Sequence, residues 1–258
     1  MRRVHTGPVL GLLALLMLLV ALAVTVGLGG PGWVAGVAAG AGGAVALAGA
    51  LARRPEYRLG PADAVTLTRA VLVGGVAALS ADAVAGGPAP VGILVTLAAT
   101  ALLLDAVDGV VARRSDTASE LGARFDMEVD AFLILVLSGY VASTTGWWVL
   151  AIGAARYVFV AATWVLPWLR AALPARFWGK VVAALAGVAL TVAAAQLLPP
   201  SATVLVLVVV LALLAESFGH QVRGLWRLHR ATASPAPTDE HPRVPAGAGA
   251  PMAERTDG

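Results

Sequence analysis

The chain has 258 residues, of which 59% are hydrophobic and only 13% are charged. Soluble domains carry about 25% charged residues, so this composition excludes an ordinary soluble protein and indicates an all-α integral membrane protein. The chain has no cysteine, which excludes disulfides and thiolate metal sites, and its net charge of +3 comes from residues that suit anionic lipid headgroups better than nucleic acid.

Long apolar runs rich in Ala, Val, Leu and Gly recur along the chain. A helix needs about 20 such residues to cross the ~30 Å of hydrocarbon in a bilayer. The runs predict eight transmembrane helices, near residues 8–29, 33–52, 64–84, 90–111, 126–143, 147–167, 181–198 and 201–219.

The positions of arginine and lysine orient these helices. Basic residues gather in cytoplasmic loops, and here one set of loops holds Arg2, Arg3, Arg53, Arg54, Arg58, Arg113, Arg114, Arg124, Arg170, Arg176, Lys180, Arg223, Arg227 and Arg230. The opposite loops, at residues 30–32, 80–90, 143–147 and 199–201, contain none. The pattern predicts a multi-pass protein of the cell membrane with both termini in the cytoplasm.

Two flanking segments carry local signals. Pro61 and Asp63 are typical of a helix start, and Asp63 is suited to cap free backbone N–H groups. From about Ala231 the chain turns to Pro, Ala, Gly and Thr, a composition that cannot bury enough apolar surface to order itself. Residues 226–258 are therefore predicted to form a disordered cytoplasmic tail.

Four aspartates stand out against the apolar background, at the cytoplasmic ends of the fourth and fifth spans. Asp105 and Asp108 are three residues apart and Asp126 and Asp130 are four apart, so each pair projects from one helix face. The short connection between the two helices favours an antiparallel pair in which the acidic faces meet. Converging carboxylates need compensation, and oxygen-only ligands favour Mg²⁺ or Mn²⁺, with two ions for the four groups. Taken singly, each Asp is more typical of a solvated helix end.

Small and basic residues accompany the carboxylates. Gly109, Ala112 and Gly122 are small where a ligand must approach closely, and Arg113 carries a guanidinium that suits phosphate oxygens. These neighbours favour a ligand-binding role over a structural one.

Read in order, Asp105, Asp108-Gly109, Ala112-Arg113, Gly122, Asp126 and Asp130 have the spacing of a known signature. The pattern resembles that of the CDP-alcohol phosphotransferase family at every fixed position. The resemblance implies a six-helix transmembrane core over residues 53–225, with residues 1–52 as two additional N-terminal transmembrane helices.

The resemblance extends to further residues. Asp63 and Thr66 resemble the family segment that contacts the cytidine nucleotide, and Ser119 matches a small hydroxyl position that contacts the donor. Arg156, inside the sixth span, resembles arginines that receive a phosphate of the acceptor, although pairing with a core carboxylate explains it equally well. Met127 and Ala131 stand where many phosphatidylglycerophosphate synthases have Pro and Lys, so the acceptor alcohol is left open.

The resemblance also implies a reaction. Two Mg²⁺ or Mn²⁺ ions would bind the diphosphate of CDP-diacylglycerol or another CDP-alcohol, and Asp130 would take the proton of an acceptor alcohol, possibly a phosphorylated one. Gly109, Ala112, Arg113, Ser119 and the segment from Asp63 to Thr66 would shape the nucleotide pocket. Homodimers are common in the family.

Two other classes of protein use membrane carboxylates. A transporter relays protons or cations through acids near the bilayer midplane and often shows internal repeats. A prenyl-diphosphate transferase uses two separated Asp-rich motifs. Neither pattern fits the single compact signature as well as the CDP-alcohol transferases do.

Overall fold

A computed structural model describes residues 6–53, 60–115, 120–170 and 177–233, without the side chains of residues 6, 61, 62, 107–115, 120, 170, 177 and 231–233. Within these ranges the regular structure is helical throughout. The helices are α1 (Thr6–Val26), α2 (Gly30–Ala52), α3 (Pro61–Val84), α4 (Val91–Ser115), α5 (Glu120–Thr145), α6 (Leu150–Val165), α7 (Phe177–Ala194) and α8 (Pro200–Ala233), with short 3₁₀ helices at Trp147–Val149 and Pro167–Arg170.

The predicted order of eight helices is confirmed, and the protein is an all-α membrane protein. Five stretches in the described residues are long and apolar enough to cross a membrane: Gly7–Val26, Gly30–Ala52, Asp63–Val84, Trp147–Val165 and Pro200–Arg230. The apolar parts of α4 and α7 are shorter, at Val91–Ala106 and Trp178–Ala194. Helix α5 is polar in its first three turns, where it carries Arg124, Asp126, Glu128 and Asp130.

Helix α3 is the centre of the bundle and packs against α1, α2, α4 and α5. It starts at Pro61, whose fixed backbone angle suits a first helical position. The Asp63 carboxylate accepts the backbone N–H of Gly60 at 2.7 Å, as the sequence predicted for a cap at this end. Leucine, valine and alanine side chains of α1, α3, α4, α5, α7 and α8 then form one continuous core around it.

The two N-terminal helices are fastened to α3 at the end away from the Asp63 cap. Asp82 is buried, and its carboxylate accepts the backbone N–H of Gly29 at 3.0 Å, in the turn between α1 and α2. At the opposite end Leu47 and Leu51 of α2 pack against Leu121 of α5. The two N-terminal helices therefore contact α3 at one end of the bundle and α5 at the other.

Helices α5 and α6 approach each other unusually closely at Gly153. A Cβ at this position would lie 2.1 Å from Ser138 Oγ and 2.5 Å from Leu135 Cα, so only glycine fits. Arg156 is three residues further along α6 and therefore faces the same side of the helix, toward α5.

The last helix corrects one expected boundary. Residues 226–233, which the sequence placed in the disordered tail, continue α8 to Ala233. Trp226 holds this extension in place, because its ring packs edge-on against Trp168 at 5.3 Å and lies 5.0 Å beneath the Arg230 guanidinium. At about 1.5 Å per residue the 34 residues of α8 span more than the ~30 Å of bilayer hydrocarbon. Residues 234–258 lie outside the described ranges.

Candidate active site

The carboxylates of two helices meet at one end of the bundle, as their spacing predicted. Asp105 lies on α4, and Asp126 and Asp130 lie on α5. One carboxylate oxygen of each lies within 4.8 Å of the others. The side chains are 37%, 28% and 32% exposed in that order, so the cluster is accessible from outside the bundle.

An arginine that the sequence analysis did not select lies at the centre of this cluster. Arg69 of α3 is fully buried, and its Nη1 lies 3.0 Å from Asp105. The same nitrogen also bonds Asp126, and Nη2 bonds Asp130. An intramembrane arginine is a functional candidate by default, and this rule, which we applied to Arg156, would also have selected Arg69.

The remaining signature residues of α4 follow Asp105 along the same helix. Asp108, Gly109, Ala112 and Arg113 all lie within Val91–Ser115, and Asp108 is three residues on from Asp105, which puts both on one side of the helix. Their side chains are not described, so the fourth predicted metal ligand and the phosphate-binding role of Arg113 stay predictions. Ser119 lies outside the described residues.

The predicted nucleotide-contacting residues of α3 and α5 lie beside the cluster. Asp63 and Gly122 line one small cavity together with Leu47, Leu67, Leu121 and Phe125. Thr66 is buried and lies three residues before Arg69, on the same face of α3. Because Leu47 belongs to α2, an additional N-terminal helix supplies part of the wall next to these residues.

Arg156 has a carboxylate partner, but it is Glu128 and not one of the four aspartates. Nη2 of Arg156 bonds Glu128, whose side chain is 54% exposed. The Arg156 Nε atom is buried and makes no hydrogen bond to the part of the chain that the structure describes. Glu128 lies between Asp126 and Asp130 in the sequence, so the pair borders the acidic cluster.

The donor set fits a hard divalent cation. Asp105, Asp126 and Asp130 offer only oxygen ligands, which Mg²⁺ and Mn²⁺ prefer. Their ligand oxygens are close enough to share one ion, and the cluster is partly open, as a metal that also binds substrate requires. The geometry is thus compatible with the predicted metal site.

A scan against protein-family models gives one match, over residues 59–216, to the model described as CDP-alcohol phosphatidyltransferase. The match spans more than half of the chain. The chain belongs to the CDP-alcohol phosphatidyltransferase family. The acidic cluster, Arg69 and the predicted site residues fall within the matched region, whereas α1, α2 and the end of α8 fall outside it. Neither a curated protein nor a solved structure matches the chain significantly.

Family membership fixes the broad activity. The family transfers groups from CDP-alcohols in phospholipid biosynthesis and uses divalent metal, and this chain is a membrane-embedded transferase of that kind. The CDP-alcohol phosphatidyltransferase assignment is thereby favoured over the transporter that the acidic cluster alone allowed.

Proposed function

We propose that the protein transfers a phosphatidyl group from CDP-diacylglycerol to the hydroxyl of an acceptor alcohol and releases CMP. The observation that carries this proposal is the meeting of Asp105, Asp126 and Asp130 within a chain of this family. The family match supports the class of reaction, and the three carboxylates form a partly open site in which that reaction can occur.

The carboxylates have two tasks in this scheme. Asp105, Asp108, Asp126 and Asp130 would hold two Mg²⁺ or Mn²⁺ ions, which when bound neutralise the charge of the donor diphosphate. Asp130 also accepts the proton of the attacking hydroxyl. The acceptor oxygen forms a bond to the β-phosphorus, and the bond from that phosphorus to the bridging oxygen breaks, so that CMP leaves with the electron pair.

Neighbouring residues hold the donor. Asp63, Thr66 and Gly122 border the nucleotide pocket, with Gly109, Ala112, Arg113 and Ser119 as further walls. The cavity that Asp63 and Gly122 share supports their placement on one side of this pocket.

The membrane position of the site follows from the chemistry of the donor. Acyl chains stay in the leaflet while the diphosphate reaches the surface, so the cluster must lie near a membrane face. The distribution of arginine and lysine supports the cytoplasmic face for the cluster and for both termini.

Arg156 is the candidate contact for a phosphate on the acceptor. Its partner Glu128 is exposed enough to be displaced, and the Arg156 Nε is a buried donor without a hydrogen bond. The oxygens of a phosphate would accept charge-assisted hydrogen bonds from Nη2 and Nε of Arg156.

The experiment is CMP release from CDP-diacylglycerol by the purified protein with Mg²⁺ or Mn²⁺, against a panel of acceptor alcohols. Asp130→Asn should abolish release, because the amide is a poor base and a poor metal ligand. Glu216→Gln is the matched control: this carboxylate lies on α8, bonds Trp178 and His220, and is remote in sequence from the signature.

CMP release with one acceptor, lost in Asp130→Asn and kept in Glu216→Gln, would establish donor and acceptor together. Failure with every acceptor, by a protein that still binds Mn²⁺, would refute CDP-diacylglycerol as the donor and turn attention to another CDP-alcohol.

A further inference from the structure

Arg69 is the one buried cation among the described residues of the bundle. Its side chain has no exposed surface, although it sits among carboxylates that are about one-third exposed. A buried guanidinium is costly unless its donors are satisfied by charged or carbonyl partners. The contacts of Arg69 should therefore show which groups stabilise its buried charge.

Three helices meet through this one side chain. Nε donates to the carbonyl oxygen of Ala101 on α4 at 3.1 Å, while the two Nη atoms contact Asp105 on α4 and Asp126 and Asp130 on α5. All three nitrogens of the rigid planar fork have partners, an arrangement that lysine cannot reproduce.

The guanidinium reaches Oδ1 of Asp105, of Asp126 and of Asp130. Arg69 therefore holds the three carboxylates in one orientation relative to one another.

We infer that Arg69 is a positioning residue, a built-in counter-cation that keeps the predicted metal ligands assembled before metal binds. Without it, Asp105, Asp126 and Asp130 would repel one another in a bundle that holds them within a few ångströms. The same positive charge opposes an incoming divalent cation, so Arg69 also lowers the affinity of the cluster for metal. The inference rests on the proposed metal site, but not on the identity of the donor or acceptor.

The test uses the full-length protein in detergent with two readouts that need no turnover. The first is the melting temperature in EDTA and in Mn²⁺. The second is the dissociation constant for Mn²⁺, measured by electron paramagnetic resonance of the free ion. The variants are Arg69→Gln and Arg69→Lys, and Arg223→Gln, an exposed arginine of α8, is the control for lost charge.

Arg69→Gln should melt about 6–20 °C lower than the wild type in EDTA, as expected for breaking a buried ion pair. Mn²⁺ should recover most of that loss, and Mn²⁺ should bind about ten-fold more tightly or better, because a repelling charge is gone. Arg223→Gln should change neither quantity. A structural contact alone would lower the melting temperature equally with and without metal.

Three results would overturn the inference: a wild type that binds no Mn²⁺, an Arg69→Gln protein that binds it more weakly, or a loss of stability that Mn²⁺ does not recover. If Arg69→Gln does not fold, Arg69→Lys decides. A drop in melting temperature larger in EDTA than in Mn²⁺ supports the role of counter-cation, and an equal drop refutes it. If the Arg69 variants behave as expected but the protein releases no CMP, the proposed substrate is refuted and the inference about Arg69 stands.

Discussion

Arg69 on α3 and Asp130 on α5 are 61 residues apart in the chain, yet Nη2 of the arginine donates directly to the aspartate carboxylate. The contact joins the central helix of the bundle to the candidate base. It also means that the acidic cluster contains a cation of its own, which offsets one of its three negative charges without metal.

The first prediction concerns removal of metal. EDTA should abolish CMP release, because the donor diphosphate loses its counter-charge. The protein should stay folded, because Arg69 still bonds Asp105, Asp126 and Asp130 and offsets part of their charge. Helicity by circular dichroism and a cooperative melt in EDTA check the fold, and added Mg²⁺ or Mn²⁺ should restore release. Loss of helicity in EDTA would contradict this expectation.

The second prediction concerns Arg156→Gln. The KM for a phosphorylated acceptor should rise about 10- to 100-fold, since a charge-assisted hydrogen bond contributes about 1.5–3 kcal/mol. The KM for the CDP-linked donor should not change. Stability should fall by only ~0–1 kcal/mol, because the pair with Glu128 is substantially exposed. Steady-state kinetics with each substrate varied in turn would measure this, and equal increases for donor and acceptor would argue against the assigned role.

The third prediction concerns Gly153→Ala. The new methyl group would overlap Ser138 Oγ and the Leu135 backbone, so α5 and α6 must separate at a cost of about 1–3 kcal/mol. The melting temperature should fall by about 2–4 °C for each kcal/mol. Gly139→Ala is the matched control, since a Cβ there meets nothing within 4 Å. A Gly153→Ala melt equal to that of the control would show that the two helices adjust freely.

The fourth prediction concerns Asp82→Ala at the far end of α3. The Gly29 N–H loses its acceptor, which should cost about 1–3 kcal/mol and speed hydrogen exchange in the turn between α1 and α2. Asp82→Asn keeps an oxygen acceptor and should lose less. Mn²⁺ affinity should stay at the wild-type value in both, because the site lies at the other end of the helix; a changed affinity would reveal coupling between the N-terminal helices and the cluster.

Most of the fold could be predicted from local patterns. The apolar runs predicted the order of the eight helices, but not all of their ends: α5 begins at Glu120 and not near residue 126, and α8 extends to Ala233. The tail was expected to begin at residue 226, but the contact of Trp226 with Trp168 accompanies a helix that continues to Ala233. This contact joins segments that are far apart in the chain, so it cannot be predicted from the residues around Trp226 alone.

The sequence by itself determined the membrane character, the helices and the spacing of Asp105, Asp108, Asp126 and Asp130, because hydropathy and helical periodicity are properties of neighbouring residues. Only the tertiary structure decided which side chains meet. It brought Arg69 into contact with three of these carboxylates, Asp105, Asp126 and Asp130, and it paired Arg156 with Glu128. The physical reason is that partners of a buried charge are chosen by the packing of α3, α4, α5 and α6, where close approach depends on small residues such as Gly153.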